Sequence, residues 1–328
     1  MTTPEEELDQ LESAILAAMN DPVIAEQIPD WTTAEDLTRI GIAAMLDTQK
    51  FGRVLASRGN IHITGDGLSD SSARVNDVAR VMTGFQRLTT AVGASQTGDK
   101  ALGKQPNADV QRRTDLLLST ATSPGSIILT FTPAVTPIDE VGNPGMVEEL
   151  ESDQQMLDTA VGAAIEVLAA GNDIGPSSVE SAFVDLLSTL GPRAAAAVRD
   201  LAKTLDRARF DIDIAWQQPA RTTRRVHVTA RSAAYIADVV EHANLDEQPV
   251  TIIGEYLTVS AVTSWLIQQD DGDTITVKLG CVDPAQTKGL AVGDRIRIEA
   301  IMKTETTTGG SVKTSYTAQA FERLERPV

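Results

Sequence analysis

Asp211 and Asp213 lie two residues apart in FDIDIAW (210–216), and His227 sits in RRVHVTA (224–230). Set across a β-hairpin, two carboxylates and an imidazole form a donor set of the kind a divalent metal accepts. Arg225 shares their face, however, and the polar side of a half-buried hairpin has the same make-up. Cross-strand ion pairing is therefore the expectation. GDKALGKQ (98–105) matches the G-x-x-x-x-G-K spacing of a phosphate-binding loop. Gln105 stands where Ser or Thr must hold Mg²⁺, a helix precedes where a strand is needed, and Pro106 follows. The stretch reads as a mobile polar loop. His62 lies between two isoleucines and His242 near a helix end, neither with a ligand partner at suitable spacing. Cys281, the only cysteine, reads as a small buried apolar residue. Neither G-x-S-x-G nor H-E-x-x-H occurs. No catalytic, metal or cofactor residue is assigned, no cofactor is expected, and enzymatic activity is not favoured.

Basic side chains are concentrated in one place. Residues 201–231 hold Lys203, Arg207, Arg209, Arg221, Arg224, Arg225 and Arg231 against three acidic residues. As a ligand or partner surface the candidates are Arg221, Arg224, Arg225 and Arg231, with Arg295, Arg297 and Lys278 nearer the C-terminus. The favoured alternative is pairing with the acidic helices or between subunits.

These residues belong to a chain of 328 with a net charge of −18. Residues 1–248 carry 36 acidic and 20 basic side chains, and residues 249–328 carry 10 and 8. A surface of that sign repels phosphate backbones and suits solubility or a basic partner. Hydrophobic residues make up 42% and aromatic ones 4%, so aliphatic side chains must fill the core. No apolar run approaches the ~20 residues of a membrane span, and the acidic MTTPEEELDQ is unlike a secretory signal. One cysteine excludes an intrachain disulfide, which fits a cytoplasmic location.

Hydropathy periods supply the elements. Residues 4–19 read as an amphipathic helix capped by Thr3 and Glu6, with Leu8, Leu11, Ile15 and Met19 in one stripe. A second helix runs from about Ala34 to Ala56. A strand at Asn60–Thr64 is followed by a helix from about Ser69 to Ala94, with Val75, Val78, Val81, Met82, Phe85, Leu88 and Val92 on its apolar face. Strands follow at about Asp115–Ala121 and Ile127–Thr132, joined by SPGS. Helices are expected over 146–170, with an acidic start, and over 177–190 and 192–208. Gly171 and Gly191 stop the first two, and Pro192 opens the third. FDIDIAW pairs with RRVHVTA, and a helix over 231–243 follows. Hairpins mixed with helices indicate α+β architecture.

From residue 249 the pattern is almost wholly β. In SWLIQQDDGDTITVKLG (264–280) a two-residue turn sets Trp265 against Lys278. A three-residue loop, 270–272, sets Ile267 against Ile275 and Trp265 against Val277, so the apolar match selects it, with Gly272 as its left-handed residue. Strands at Val250–Val259, Arg295–Lys303 and Thr314–Leu324 and a turn at Asp283–Lys288 complete a β-β-β-α-β-β order. With a bendable Gly254 in its first strand, this order resembles an OB fold. The resemblance implies a small barrel that in other proteins often binds single strands through aromatics on strands two and three. The outward residues there are Leu266, Gln268, Thr274, Thr276 and Lys278, one cation and no ring. Trp265 is assigned to the core, while Tyr256, Tyr316, Arg295 and Arg297 remain available to a nucleic acid.

The reading is an N-terminal helical segment (1–58), an α+β body of mixed helices and β-hairpins (59–246) and a small OB-like β-barrel (247–328). The expected function is non-catalytic binding or assembly, with a protein partner or a second copy of the chain. Single-stranded nucleic-acid binding ranks second, and an enzyme whose site shows no motif ranks third. No membrane association is expected.

Overall fold

A computed structural model describes residues 55–69, 72–103, 105–123, 126–141, 155–174, 181–219, 221–306 and 312–324. The helix expected at 4–19, most of that from Ala34, the residues Pro124 and Gly125 and the acidic run from Glu148 lie outside them.

Alternation of apolar and polar residues, strict in 210–216 and looser elsewhere, builds an antiparallel sheet. Its strands are β1 (Arg58–Thr64), β2 (Leu116–Ser123), β3 (Ser126–Pro133), β4 (Asp211–Gln217) and β5 (Arg224–Val228), in the order β2-β3-β1-β4-β5. Register lines up the apolar rows. Ile61 stands between Leu129 and Ile214, and Ile63 between Ile127 and Ile212. With Phe131, Trp216, Val226 and Val228 they form one face, which packs into a single core with the helices.

The described helices are α1 (Val75–Gln96), α2 (Ala108–Arg113), α3 (Pro137–Val141), α4 (Met156–Asn172), α5 (Ala182–Leu190), α6 (Pro192–Ala208) and α7 (Ala230–His242). α1 buries Val81, Phe85, Leu88 and Val92, whereas Val75 is 81% exposed because the helix starts there, before it reaches the core. Gly171 does not stop α4. The helix runs through it to Asn172, and an added Cβ would lie 2.7 Å from Ile236 Cδ1. The missing side chain serves close packing on α7. Gly191 does end α5, at φ 88°, and Pro192 opens α6. Asp158 of α4 is buried but satisfied, accepting from Trp216 Nε1 at 2.8 Å and from Ser57 Oγ.

The C-terminal strands are β6 (Glu247–Thr258), β7 (Ser264–Gln269), β8 (Thr274–Lys278), β9 (Arg295–Thr306) and β10 (Val312–Arg323), with a 3₁₀ turn at Pro284–Thr287. They close in the order β10-β8-β7-β6-β9. β6 pairs with both β7 and β9, and a short parallel contact of β10 with β8 seals the cylinder. This is an OB-type barrel. Trp265 faces Val277 and Ile267 faces Ile275, so the loop spans 270–272, with Gly272 at φ 92°. Gly254 bridges Gln269 and Ile296, and a Cβ there would stand 2.2 Å from the Gln268 carbonyl oxygen. Only glycine lets the first strand pass that close.

A charged and apolar seam fastens the barrel to α6. Arg199 is 1% exposed. Its guanidinium donates to Asp246, to the Thr304 carbonyl and, at 2.7 Å, to Asp200. Burial works against this charge, but Asp200 and Asp246 outweigh it and hold the group above its ordinary range. Burial pushes the Asp246 carboxyl up, with Arg199 and Lys303 offsetting only part of the effect. The stretch read as a mobile loop belongs to this seam. Leu102 packs with Ala196 and Met302, and its N–H donates to Gln248 Oε1. Asp99 pairs with Arg193 at 2.9 Å. A sequence pattern that mimics a phosphate loop is here a clasp between body and barrel.

Candidate functional site

Within the barrel the large rings turn inward. Tyr256 and Trp265 are fully buried and meet edge to face at 5.5 Å, and Phe321 also meets Trp265 edge to face, at 5.3 Å. Tyr256 is thereby withdrawn from any outer surface. Tyr316 is half-buried where barrel and body meet, packed near Met302. Burial pushes both phenols up, most strongly Tyr256, whose hydroxyl has no hydrogen-bond partner among the described residues.

What faces outward on β7 and β8 is Ser264, Leu266, Gln268, Thr274, Thr276 and Lys278, of which Gln268, both threonines and Lys278 are exposed. Aliphatic side chains are exposed at the bulge near the end of β6 and on two loops. Val262 is 87% exposed, Val292 67% and Leu257 38%. Local bonds hold them there. Ser260 Oγ accepts from Val262 N at 3.2 Å and Thr263 N at 3.0 Å, and its carbonyl accepts from Trp265 Nε1 at 2.9 Å. Gly293 N donates to the Tyr256 carbonyl at 2.9 Å, so Leu257 and Val292 each adjoin one end of that bond. Lys278 is the one charged side chain among these outward residues of β7 and β8.

On the body, register builds a row that sequence spacing did not reveal. His62, Asp213 and His227 are consecutive partners across β1, β4 and β5. His227 Nδ1 lies 2.7 Å from Asp213 Oδ1, and His62 Nδ1 lies 3.8 Å from Oδ2. His62 therefore has a carboxylate partner after all, supplied by a strand some 150 residues away in sequence. Asp211 leaves the row and accepts from Ala230 N at 2.7 Å, at the start of α7. No group of three or more His, Cys, Asp or Glu among the described residues is arranged to hold a metal ion.

The proposed basic residues are spread over the molecule. Arg221 lies between β4 and β5, Arg224 and Arg225 on β5, and Arg231 in the first turn of α7. Arg224 pairs with Glu166 at 3.0 Å. Arg295 and Arg297 project from β9, paired with Asp270 at 2.6 Å and Glu322 at 3.6 Å. Lys278 stands apart on β8, on the open barrel face. Cys281 is exposed, not buried, because the chain leaves β8 there before Val282 turns inward.

Fold and surface together define an α+β protein with an OB-type barrel clasped to its body, and no helix among the described residues is long and apolar enough to cross a membrane. No family model and no curated protein matches the chain. Among solved structures it is similar to Rim1, a mitochondrial single-stranded DNA binding protein from S. cerevisiae, at 16% identity over 25% of this chain and 99% of that one, with a TM-score of 0.21.

Proposed function

We propose that this chain is a non-catalytic binding or assembly protein of the cytoplasm whose barrel engages a protein partner. The observation that supports this most is the barrel's division of side chains. Its rings pack inward, and the outward residues of β7 and β8 carry one charge, Lys278, with Leu257, Val262 and Val292 exposed elsewhere on the barrel. Exposed aliphatic residues gain by burial against another apolar surface, at roughly 25 cal/mol per Å² removed from water. The clasp at Arg199 and Leu102 holds barrel and body in one orientation, so these residues are presented by a rigid frame.

The test uses the full chain as bait in an extract of its native cell. The unmodified chain retains a protein that the Val262→Asp, Val292→Asp double variant loses. Equal recovery by both baits contradicts the reading.

A second reading, single-strand binding, draws on the barrel topology and on Lys278, which projects from the β8 face without an ion-pair partner among the described residues. A labelled single strand at low salt distinguishes it, since Lys278→Glu weakens that binding and leaves the protein partner in place.

A further inference from the structure

The body's sheet has two edges, and they are treated differently. β5 carries charged Arg224 and Arg225, and α4 lies against it. Asn172 of α4 donates to the His227 carbonyl, and Arg224 lies over Gly162 with its charge on Glu166. The barrel is closed and has no edge. β2 is the remaining edge among the described strands, and its sequence LLLSTATS contains no charge and no proline. From Leu116 to Ile138 no side chain carries a charge, in a chain of net charge −18. Natural sheet edges that face water are blunted by lysine, proline or a bulge.

Backbone direction along β2 follows from its register. Ala134 N donates to the Asp115 carbonyl at 3.0 Å, and Pro133, opposite Leu116, has no N–H to give. Alternation then turns the N–H and C=O of Leu117, Ser119 and Ala121 toward β3, and those of Leu116, Leu118, Thr120 and Thr122 away from it. Leu116 confirms the direction, because its N–H donates outward to Gln86 Oε1 at 3.0 Å. Gln86 thus covers the first outward donor, and Leu118, Thr120 and Thr122 have no strand paired with them among the described residues. Leu117 and Leu118, on opposite faces of this strand, are 54% and 41% exposed.

We infer that β2 is the seam of a homodimer, in which a second copy adds its own β2 antiparallel across a two-fold axis at Thr120. Pairing about that axis sets Leu118 opposite Thr122 of the partner subunit, Thr120 opposite Thr120 of the partner subunit, and Thr122 opposite Leu118 of the partner subunit. All three belong to the outward set, so every donor meets an acceptor and two five-stranded sheets become continuous. Charge selects the occupant. Two copies of an acidic chain repel except where they are neutral, and β2 is a neutral, self-complementary strand. This seam goes beyond the barrel reading and is independent of it.

Sedimentation equilibrium of the full chain tests it. The expected mass is twice the chain's 34.9 kDa at concentrations above about 10 µM. Thr120→Pro deletes an outward N–H and no bond to β3, so it weakens the dimer roughly tenfold or more while the circular dichroism spectrum is retained. Leu118→Lys does the same by installing an edge charge. The rim variant Val262→Asp, Val292→Asp remains a dimer. Should either edge variant fail to fold, hydrogen exchange of the unmodified chain decides, with the Leu118, Thr120 and Thr122 amides as protected as those of Leu117, Ser119 and Ala121. A monomer at all concentrations, a dimer untouched by both edge variants, or fast exchange at the three outward amides overturns the inference.

Discussion

Tyr256 carries a hydroxyl in the barrel core that no described group satisfies. An orphaned buried hydroxyl costs roughly 1–3 kcal/mol, so Tyr256→Phe leaves stability unchanged or raises it by about 1 kcal/mol, as read from urea unfolding at neutral pH. The same residue bears on alkaline behaviour. Burial pushes Tyr256 and Tyr316 above the usual phenol range. Burial also opposes the Lys303 charge, but the Glu247 hydrogen bond and the Asp246 charge outweigh it and hold the ammonium above its usual range. In each case the folded chain keeps a proton that the unfolded chain releases, so stability falls as pH rises above about 10. Tyr256→Phe makes that fall shallower, and an equal slope in variant and parent contradicts the assignment. Residues whose roles are local were legible in the sequence, as with Trp265 in the core and Gly272 in its loop. His62 was not, because its partner Asp213 is set by β1–β4 register and not by spacing. Cys281 was misplaced because composition alone gives a cysteine's average burial, whereas the chain here is leaving a strand.

The seam between α6 and the barrel shows how charge and packing combine at the level of elements. Removing one partner of a buried ion pair strands the other, at a cost of about 3–5 kcal/mol. Arg199→Met therefore destabilises the chain by about 3 kcal/mol, and Arg199→Met with Asp246→Leu recovers part of the loss, as a double-mutant cycle in urea would show. Additive losses contradict a direct pair. Gly254→Ala forces a Cβ against the Gln268 carbonyl and costs roughly 1–3 kcal/mol in the same assay. Element types could be read from periodicity, and the register of the 264–280 hairpin was fixed by its apolar match. The loop at 97–103 could not. Its glycines and charges read as solvent-exposed, and only the arrival of Met302 and Gln248 from the barrel explains why Leu102 is buried. Gly171 likewise reads as a helix stop until Ile236 is brought against it.

For the molecule as a whole, the proposals divide between a body whose β2 edge is unpaired among the described strands and a barrel with exposed aliphatic residues. The OB topology was legible as an order of elements, and closure of the cylinder follows that order. What the barrel meets was not legible, since the same cylinder serves different ligands and only its outer residues choose among them. Those residues are neutral on β7 and β8 save Lys278, and aliphatic at Leu257, Val262 and Val292. Fluorescence anisotropy of labelled single-stranded DNA and RNA against the full chain at low salt tests that choice most directly. The account predicts no saturable binding up to about 10 µM protein, an affinity limit near −7 kcal/mol. Submicromolar, salt-sensitive binding that Lys278→Glu abolishes and the rim variant spares would contradict it.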